Sequence, residues 1–377
     1  MKKALIVIGI FLLMAFAIVF VVIGTKKSPS EIKIGWIGPL SGDVAFYGQA
    51  IKNATDLAVD EINNAGGIDG RKIKILYEDA QMDPKAGVAA LTKLANIEKV
   101  PIVIQAAGSS VMLAEAPIAE KNKVVLISPT ASNDKIKYAG DYIFRNWPSD
   151  SYQGEVIADF AANTLRKKEA YILFINNDYG FGLKDVFSKQ FTGLGGMIVG
   201  SDSYDEGATD FRSQLSKVKV SAKGIVFLAS HYREAGLLLK QAKELGMKVQ
   251  LIASDGCFAP EFIELSHGAA EGTIVANMRW HPESKDPIVS SFVAKYRNRF
   301  GKDPEVYAAS SYDLIKIITI AIERGGITSD GIKNALYGIK DFPGVTGSTS
   351  FDNYGEVRKD YEMFIIKDSK YIFYTGQ

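Results

Sequence analysis

At 377 residues the chain exceeds the length at which one hydrophobic core usually keeps growing, so two domains are expected. Its 44 basic residues against 43 acidic ones leave a formal charge of +1, and with no long block of like charge this argues against nucleic acid as a partner. A hydrophobic content of 47% excludes a disordered chain, and the one cysteine, Cys257, excludes an intrachain disulfide and a cysteine-based zinc site.

Lys2 and Lys3 precede an unbroken apolar run over residues 4–23, about the 20 residues that cross a bilayer as a helix. The run marks an exported chain, with its bulk in the periplasm or on the outer face of the cell membrane. Cleaved signal and retained anchor both stay open. The run is long for a signal, and Val22-Ile23-Gly24 and Ser28-Pro29-Ser30 are weak cleavage sites, which favours an anchor that tethers the protein to the membrane. No cysteine follows, so a lipoprotein anchor is excluded.

After a polar linker, the pattern predicts a strand over 32–37 and a turn-rich loop, Gly38-Pro39-Leu40-Ser41-Gly42. A helix over 49–64 carries Ile51, Ala54, Leu57, Ala58 and Ile62 on one face. The glycine cluster Gly66-Gly67-Ile68-Asp69-Gly70 then leads into a strand over 73–77. It follows a helix and precedes a strand, the reverse of a dinucleotide fingerprint, and reads as a turn. A helix over 84–96 and a strand over 102–106 come next. The loop Ala107-Gly108-Ser109-Ser110 precedes a helix over 111–121, placing backbone N–H groups and two hydroxyls at a helix N-terminus. That is either an anion site or a plain serine cap. A strand over 124–127 runs into Ser128-Pro129-Thr130-Ala131-Ser132-Asn133, again hydroxyl-rich at a strand's carboxyl end. Two such loops side by side favour a carboxylate pocket.

From residue 151 the alternation starts afresh, with helices over 151–165 and 182–194 and strands over 170–175 and 197–201. Residues 224–256 then read as one βαβ unit. An apolar strand over 225–229 leads to a helix with Ala235, Leu238, Ala242 and Leu245 on one face, stopped by Gly246, and a second strand over 249–253 follows. The strands of such a unit are parallel, so their carboxyl ends share the edge beyond which open α/β sheets bind ligands. His231 and Tyr232 follow the first strand and Asp255 the second, a phenol and a carboxylate facing one crevice and suited to a cation. The alternative is that Asp255 caps a short helix near Pro260. Helices over 287–300 and 308–323 and short strands within 344–374 complete the chain.

Several marks occur in order along the chain. They are Pro39-Leu40-Ser41-Gly42 with Tyr47-Gly48, Glu61-Ile62-Asn63 before Gly66-Gly67-Ile68, and Ile127-Ser128-Pro129 with Ser132. Tyr179-Gly180 with Gly182, Asp255-Gly256, Tyr307-Ala308-Ala309 with Tyr312-Asp313, and Gly344-Val345 with Gly347 and Phe351-Asp352 follow. Each is weak alone, but their order and spacing resemble a type I periplasmic binding protein, in particular the leucine/isoleucine/valine receptors of ABC transporters. The resemblance spans residues 32–374.

The resemblance implies two similar α/β/α lobes joined by three hinge crossovers near 146–150, 277–282 and 353–358, with the ligand held between them. Residues 31–147 and 281–355 would form the first lobe and 148–280 and 356–377 the second, behind a signal or anchor with its linker at 1–30. The family's carboxylate contacts fall on Ser109, Thr130 and Ser132, with Ser110 beside them; Ser132 replaces the usual threonine, keeping the hydroxyl and losing a methyl. The ammonium contact falls on Asp255, with Tyr232 next to it. Tyr47, Gly108, Ala131, Tyr179 and Tyr307 would line the cleft. Trp36, Phe46, Trp147 and Trp280 are possible pocket residues too, with core packing favoured for each, as aromatic side chains are usually buried. The implied partners are an amino acid and the permease subunits of an ABC transporter, and no cofactor, metal or catalytic group is expected.

An enzyme is the first rival reading. His231, His267 and His281 are far apart, however, and neither a G-x-S-x-G elbow nor a P-loop occurs. His231 is left between packing and ligand contact. A sensor or co-receptor ectodomain is the second rival, weakened because only three residues precede the apolar run. An amide, urea or aromatic acid remains an alternative cargo; Asp255 argues for an ammonium group and weakens the choice of an acid alone.

Overall fold

The computed structural model describes residues 31–221 and 224–376. The apolar run at 4–23, read above as signal or anchor, lies outside the described residues, and no helix among the described residues is long and apolar enough to cross a membrane.

The first sheet forms from β1 (Ile32–Gly38), β2 (Ile73–Asp79), β3 (Ile102–Gln105), β4 (Val125–Ser128) and β5 (Ile143–Arg145), all parallel, in the order β2-β1-β3-β4-β5. Its crossovers are α1 (Ala45–Asn64), α2 (Pro84–Lys93) and α3 (Gly108–Asn122). β3 and β4 are buried along their whole length, as continuous apolar runs covered on both faces must be. α1 buries Tyr47, Ala50, Ile51, Ala54, Leu57 and Ala58 at helical spacing against the core.

The second sheet repeats the plan. It holds β6 (Glu169–Ile175), β7 (Met197–Tyr204), β8 (Ile225–Ala229), β9 (Gln250–Ala253) and β10 (Ile274–Met278), and β13 (Tyr361–Lys367) and β14 (Lys370–Phe373) extend it antiparallel beyond β10. The order is β14-β13-β10-β9-β8-β6-β7. Its helices are α4 (Asp150–Asp159), α5 (Asp178–Gly193), α6 (Arg212–Ser221), α7 (Tyr232–Glu244) and α8 (Pro260–Leu265). In each sheet the first strand sits between the second and third, so the strand order reverses at β1/β3 and again at β6/β8. Ligand crevices open at such reversals.

After β10 the chain returns to the first sheet through α9 (Pro287–Phe300), α10 (Val306–Gly325) and α11 (Ser329–Tyr337), followed by the small hairpin β11 (Phe342–Gly344) and β12 (Gly347–Thr349). α10 docks on α1 through paired polar groups. Thr55 and Ser311 hydroxyls meet at 3.0 Å, and Glu61 accepts from the Tyr312 hydroxyl at 2.7 Å and from Lys316 at 2.8 Å. The chain therefore passes between the sheets three times, after β5, after β10 and after β12.

These passages are cross-braced. Arg145, fully buried at the end of β5, donates to the Ser132 and Asn133 carbonyls at 2.6 and 2.9 Å and pairs with Glu356 on the third passage. Lys359, further along that passage, is buried and donates to the Thr346 and Thr349 hydroxyls, both at 2.8 Å. Asp313 of α10 accepts from the Val345 and Thr346 N–H groups at 2.7 and 2.9 Å. Two expectations shift in detail. α3 begins at Gly108 rather than 111, which makes Ser109 and Ser110 its first turn, and the three-residue β5 is too short to have given a periodic signal.

Burial, partly offset by Asp313, lowers the Lys359 ammonium to a pKa of about 8. Below that pH the group is charged whether folded or unfolded, and its desolvation is a cost. Above it the folded chain sheds the proton while the unfolded chain keeps it, so stability climbs with pH. Urea unfolding should show about 2 kcal/mol of gain between about pH 7.5 and pH 9.5 that Lys359→Met lacks.

Candidate ligand-binding site

The carboxyl ends of β3 and β4 face those of β6, β8 and β9 across a cavity between the two sheets. It encloses about 60 Å³. One water needs roughly 10–15 Å³, so the space suits a molecule of amino-acid size and not a peptide.

One wall is made of hydroxyls. β3 ends in Ala106 and Ala107, and Gly108, with φ at +80°, turns the chain into α3. No side chain caps that helix, so its first N–H groups are left for another partner. Ser109 Oγ accepts the N–H groups of Ser132 and Asn133 at 3.2 and 3.1 Å, which leaves its own proton free to donate. Thr130 and Ser132 reach the same cavity from the loop after β4, which Ser128 shapes by accepting from the Thr130 and Ala131 N–H groups. Ser110 also lines the cavity, and its Oγ accepts from the Asp178 N–H at 3.1 Å, linking this wall to α5.

The opposite wall is organised by Asp255, buried where β9 ends. Its Oδ1 accepts from the Tyr179 hydroxyl at 2.7 Å, and its Oδ2 from Trp147 Nε1 at 2.9 Å and the Tyr361 hydroxyl at 3.0 Å. The capping reading of Asp255 fails, because the N-cap of α8 is Ala259 and no side chain caps the helix. Burial, then the charge of Asp255, pushes the Tyr179 and Tyr361 phenols well above their ordinary range, so both stay protonated donors. Asp150, buried nearby, is pushed well above the carboxylate range by desolvation and next by Asp255.

Aromatic rings close the space. Tyr47 donates to the Gly256 carbonyl, and Tyr307 to the Asp255 carbonyl at 2.7 Å, so α1 and α10 grip the loop after β9. Trp147 stacks on Tyr307 at 5.5 Å, and His231 on Tyr179 at 5.2 Å. Gly256 is packed too tightly for a larger residue, since a Cβ there would stand 2.5 Å from the Ser230 carbonyl oxygen. With these bonds made from one sheet to the other, the two halves are closed on the cavity.

Of the residues singled out in the sequence, Tyr47, Gly108, Ser109, Ser110, Thr130, Ser132, Tyr179, Asp255 and Tyr307 line this cavity together. Two do not. Tyr232 stands behind Tyr47, with ring centroids 5.0 Å apart, and its hydroxyl donates to the Asp43 carbonyl at 3.0 Å. Starting α7 directly after His231 turns it to the rim, where the neighbouring Arg233 pairs with Asp43 at 3.1 Å. Ala131 is buried in the core beside the cavity. Among the aromatic residues left between pocket and packing, Trp147 lines the site, whereas Trp36 is core and Trp280 donates to the Pro304 carbonyl at 3.0 Å. Trp147 follows a strand's carboxyl end by two residues, the positional signal that would have found it. His231, Met82, Asn177 and Glu206 also line the cavity.

The periplasmic binding protein family matches residues 31–370. The chain belongs to that family. As a periplasmic binding protein it is an extracytoplasmic solute receptor rather than an enzyme. It is 27% identical over 350 residues to a Leu/Ile/Val-binding protein homolog of Brucella melitensis, covering 91% of this chain and 93% of that one. The crystal structure of a leucine-binding protein from Thermotoga maritima superposes with a TM-score of 0.86 at 28% identity, covering 91% of this chain and 98% of the other. A branched-chain amino acid transporter substrate-binding protein of Streptococcus pneumoniae, solved with isoleucine, gives a TM-score of 0.84 at 31% identity over 90% and 97% of the two chains.

Because Tyr232 bonds Asp43 and not the cavity, Tyr232→Phe should weaken every ligand about fivefold, the value of one hydrogen bond made on closure, and leave the order of preference unchanged. Calorimetry across several ligands checks this; a change in preference would return Tyr232 to the ligand.

Proposed function

We propose that this periplasmic binding protein captures an aliphatic amino acid, branched-chain or similar, between two lobes and delivers it to the permease of an ABC transporter. The observation that carries the reading is the facing of two unlike walls across a cavity of amino-acid size. Hydroxyl donors at Ser109, Thr130 and Ser132, with the uncapped first-turn N–H groups of α3 at Gly108 and Ser110, suit an α-carboxylate. The Asp255 carboxylate, in a ring of donors, suits an α-ammonium. Tyr47, Tyr179 and Tyr307 hold the remainder. An aromatic acid could place its carboxylate on the hydroxyl wall but would leave Asp255 without an ammonium partner, which weighs against that cargo.

In this reading the lobes are residues 31–147 with 281–355 and 148–280 with 356–377, hinged at the three passages between the sheets. The zwitterion binds the closed form better because only there do both walls touch it, so it shifts the population toward closure, and the closed face is what the permease reads. The run at 4–23 tethers the receptor to the cell membrane. Washed membranes should therefore retain the protein at its full mass, and a soluble form lacking residues 1–30 would replace the tether with a cleaved signal.

A thermal-shift screen of amino acids, amides and aromatic acids tests the cargo. Leucine, isoleucine or valine at 1,000 times the dissociation constant should add about 4 kcal/mol to stability. Shifts with acids or amides alone would overturn the ammonium assignment. Asp255→Asn should lower amino-acid affinity by about a hundredfold or more, the cost of leaving a charge unpaired. Asp150→Asn should stay near the parent at neutral pH, because that carboxyl already holds its proton.

A further inference from the structure

With the carboxylate and ammonium of the ligand assigned to the hydroxyl wall and to Asp255, its side chain must face what is left of the lining. Apart from the rings, the apolar side chains there are Ala106, Ala107 and Met82. The two alanines offer nothing that can move. Met82 is different in both backbone and side chain.

Met82 and its neighbour Gln81 hold φ at +59° and +48°, two successive non-glycine residues in the left-handed region. Such a conformation persists only where the surroundings enforce it, and it clusters at functional sites. The enforcement is visible. Asp79, at the end of β2, accepts from the Leu40 N–H at 2.9 Å, the Ser41 hydroxyl at 2.6 Å and the Gln81 N–H at 3.1 Å. The Asp83 N–H returns to the Ala80 carbonyl at 2.7 Å, and Asp83 then caps α2 through the Ala86 N–H. The turn is fixed at both ends, and it aims the Met82 thioether across the cavity. Its Cε lies 2.9 Å from where a Cβ on Gly108 would stand, so it fills the space that Gly108 leaves open.

We infer that Met82 is the specificity-determining residue of this site, an adjustable wall that sets which amino-acid side chains fit. The inference rests on the amino-acid reading above and deepens it. An unbranched thioether with three rotatable bonds can withdraw for a bulky ligand and extend over a small one. The fixed turn keeps its base in place while its tip adapts. Gly108 is the other half of the device, since any side chain there would take the space the thioether moves through.

The test is a set of binding constants for alanine, valine, leucine and phenylalanine, measured by calorimetry on the intact protein and on Met82→Ala and Met82→Phe. Met82→Ala should move the phenylalanine-to-alanine affinity ratio up by about tenfold or more, the usual worth of a few methylene-sized contacts in a pocket. Met82→Phe should move the same ratio down by a similar factor. Opposite signs from two substitutions at one position cannot come from general damage to the fold. Equal changes for all four ligands in both variants would overturn the inference and leave the amino-acid reading standing. An unmodified protein that binds none of the four would overturn both.

Discussion

The Asp255 carboxylate is the constraint on which the rest of this structure turns. A charge taken out of water is expensive unless it is fully hydrogen-bonded, and here Trp147, Tyr179 and Tyr361 supply the bonds. Those donors come from three distant stretches of chain. Trp147 lies on the first passage between the sheets, Tyr179 follows β6, and Tyr361 opens β13 just after the third passage. The carboxylate can be held this way only when both passages and the second sheet are in place. Satisfying one buried carboxyl group thus ties the assembly of the fold to the readiness of the site.

The sheets supply the frame for that arrangement. Both run in the same strand order about their reversal points, so each delivers several loops to one edge, and the edges face each other. One edge contributes a helix N-terminus and hydroxyls, the other a carboxylate. The zwitterion proposed above would be matched by the two edges together and by neither alone, which would make closure and recognition a single event. The buried Arg145 and Lys359 sit at the passages, where backbone from both halves converges and polar groups must find partners away from water.

Much of this was legible in the sequence. The alternation of apolar runs with helical periodicity gave the α/β class and the strands, because buried parallel strands have to be continuous apolar runs. The rule that ligands meet the carboxyl ends of strands brought out Ser109, Thr130, Ser132 and Asp255. Side-chain direction was harder to read. Tyr232 and His231 are adjacent after the same strand, yet His231 enters the cavity while the start of α7 carries Tyr232 to the rim. A one-residue difference at a strand-to-helix turn reverses which way a side chain points, and neither composition nor spacing records it. Trp147 was named as a possible pocket residue but ranked behind packing, because tryptophan tends to be buried. It is buried, but against the site. Met82 left no sequence signal, since its role follows from a left-handed turn that ordinary residues adopt only under tertiary constraint.

The position of Trp147 makes the molecule its own optical reporter. Of three tryptophans, Trp36 is sealed in the core of the first sheet and Trp280 is fixed to the Pro304 carbonyl. Trp147 alone has its indole stacked on Tyr307 and hydrogen-bonded to the anion at the centre of the cleft. Indole emission depends on the polarity and charge around the ring, so in the proposed opening, as water reaches Asp255, the Trp147 indole would change its surroundings while Trp36 stays sealed in the core. The unlabelled protein can then signal each opening and closing in its own fluorescence.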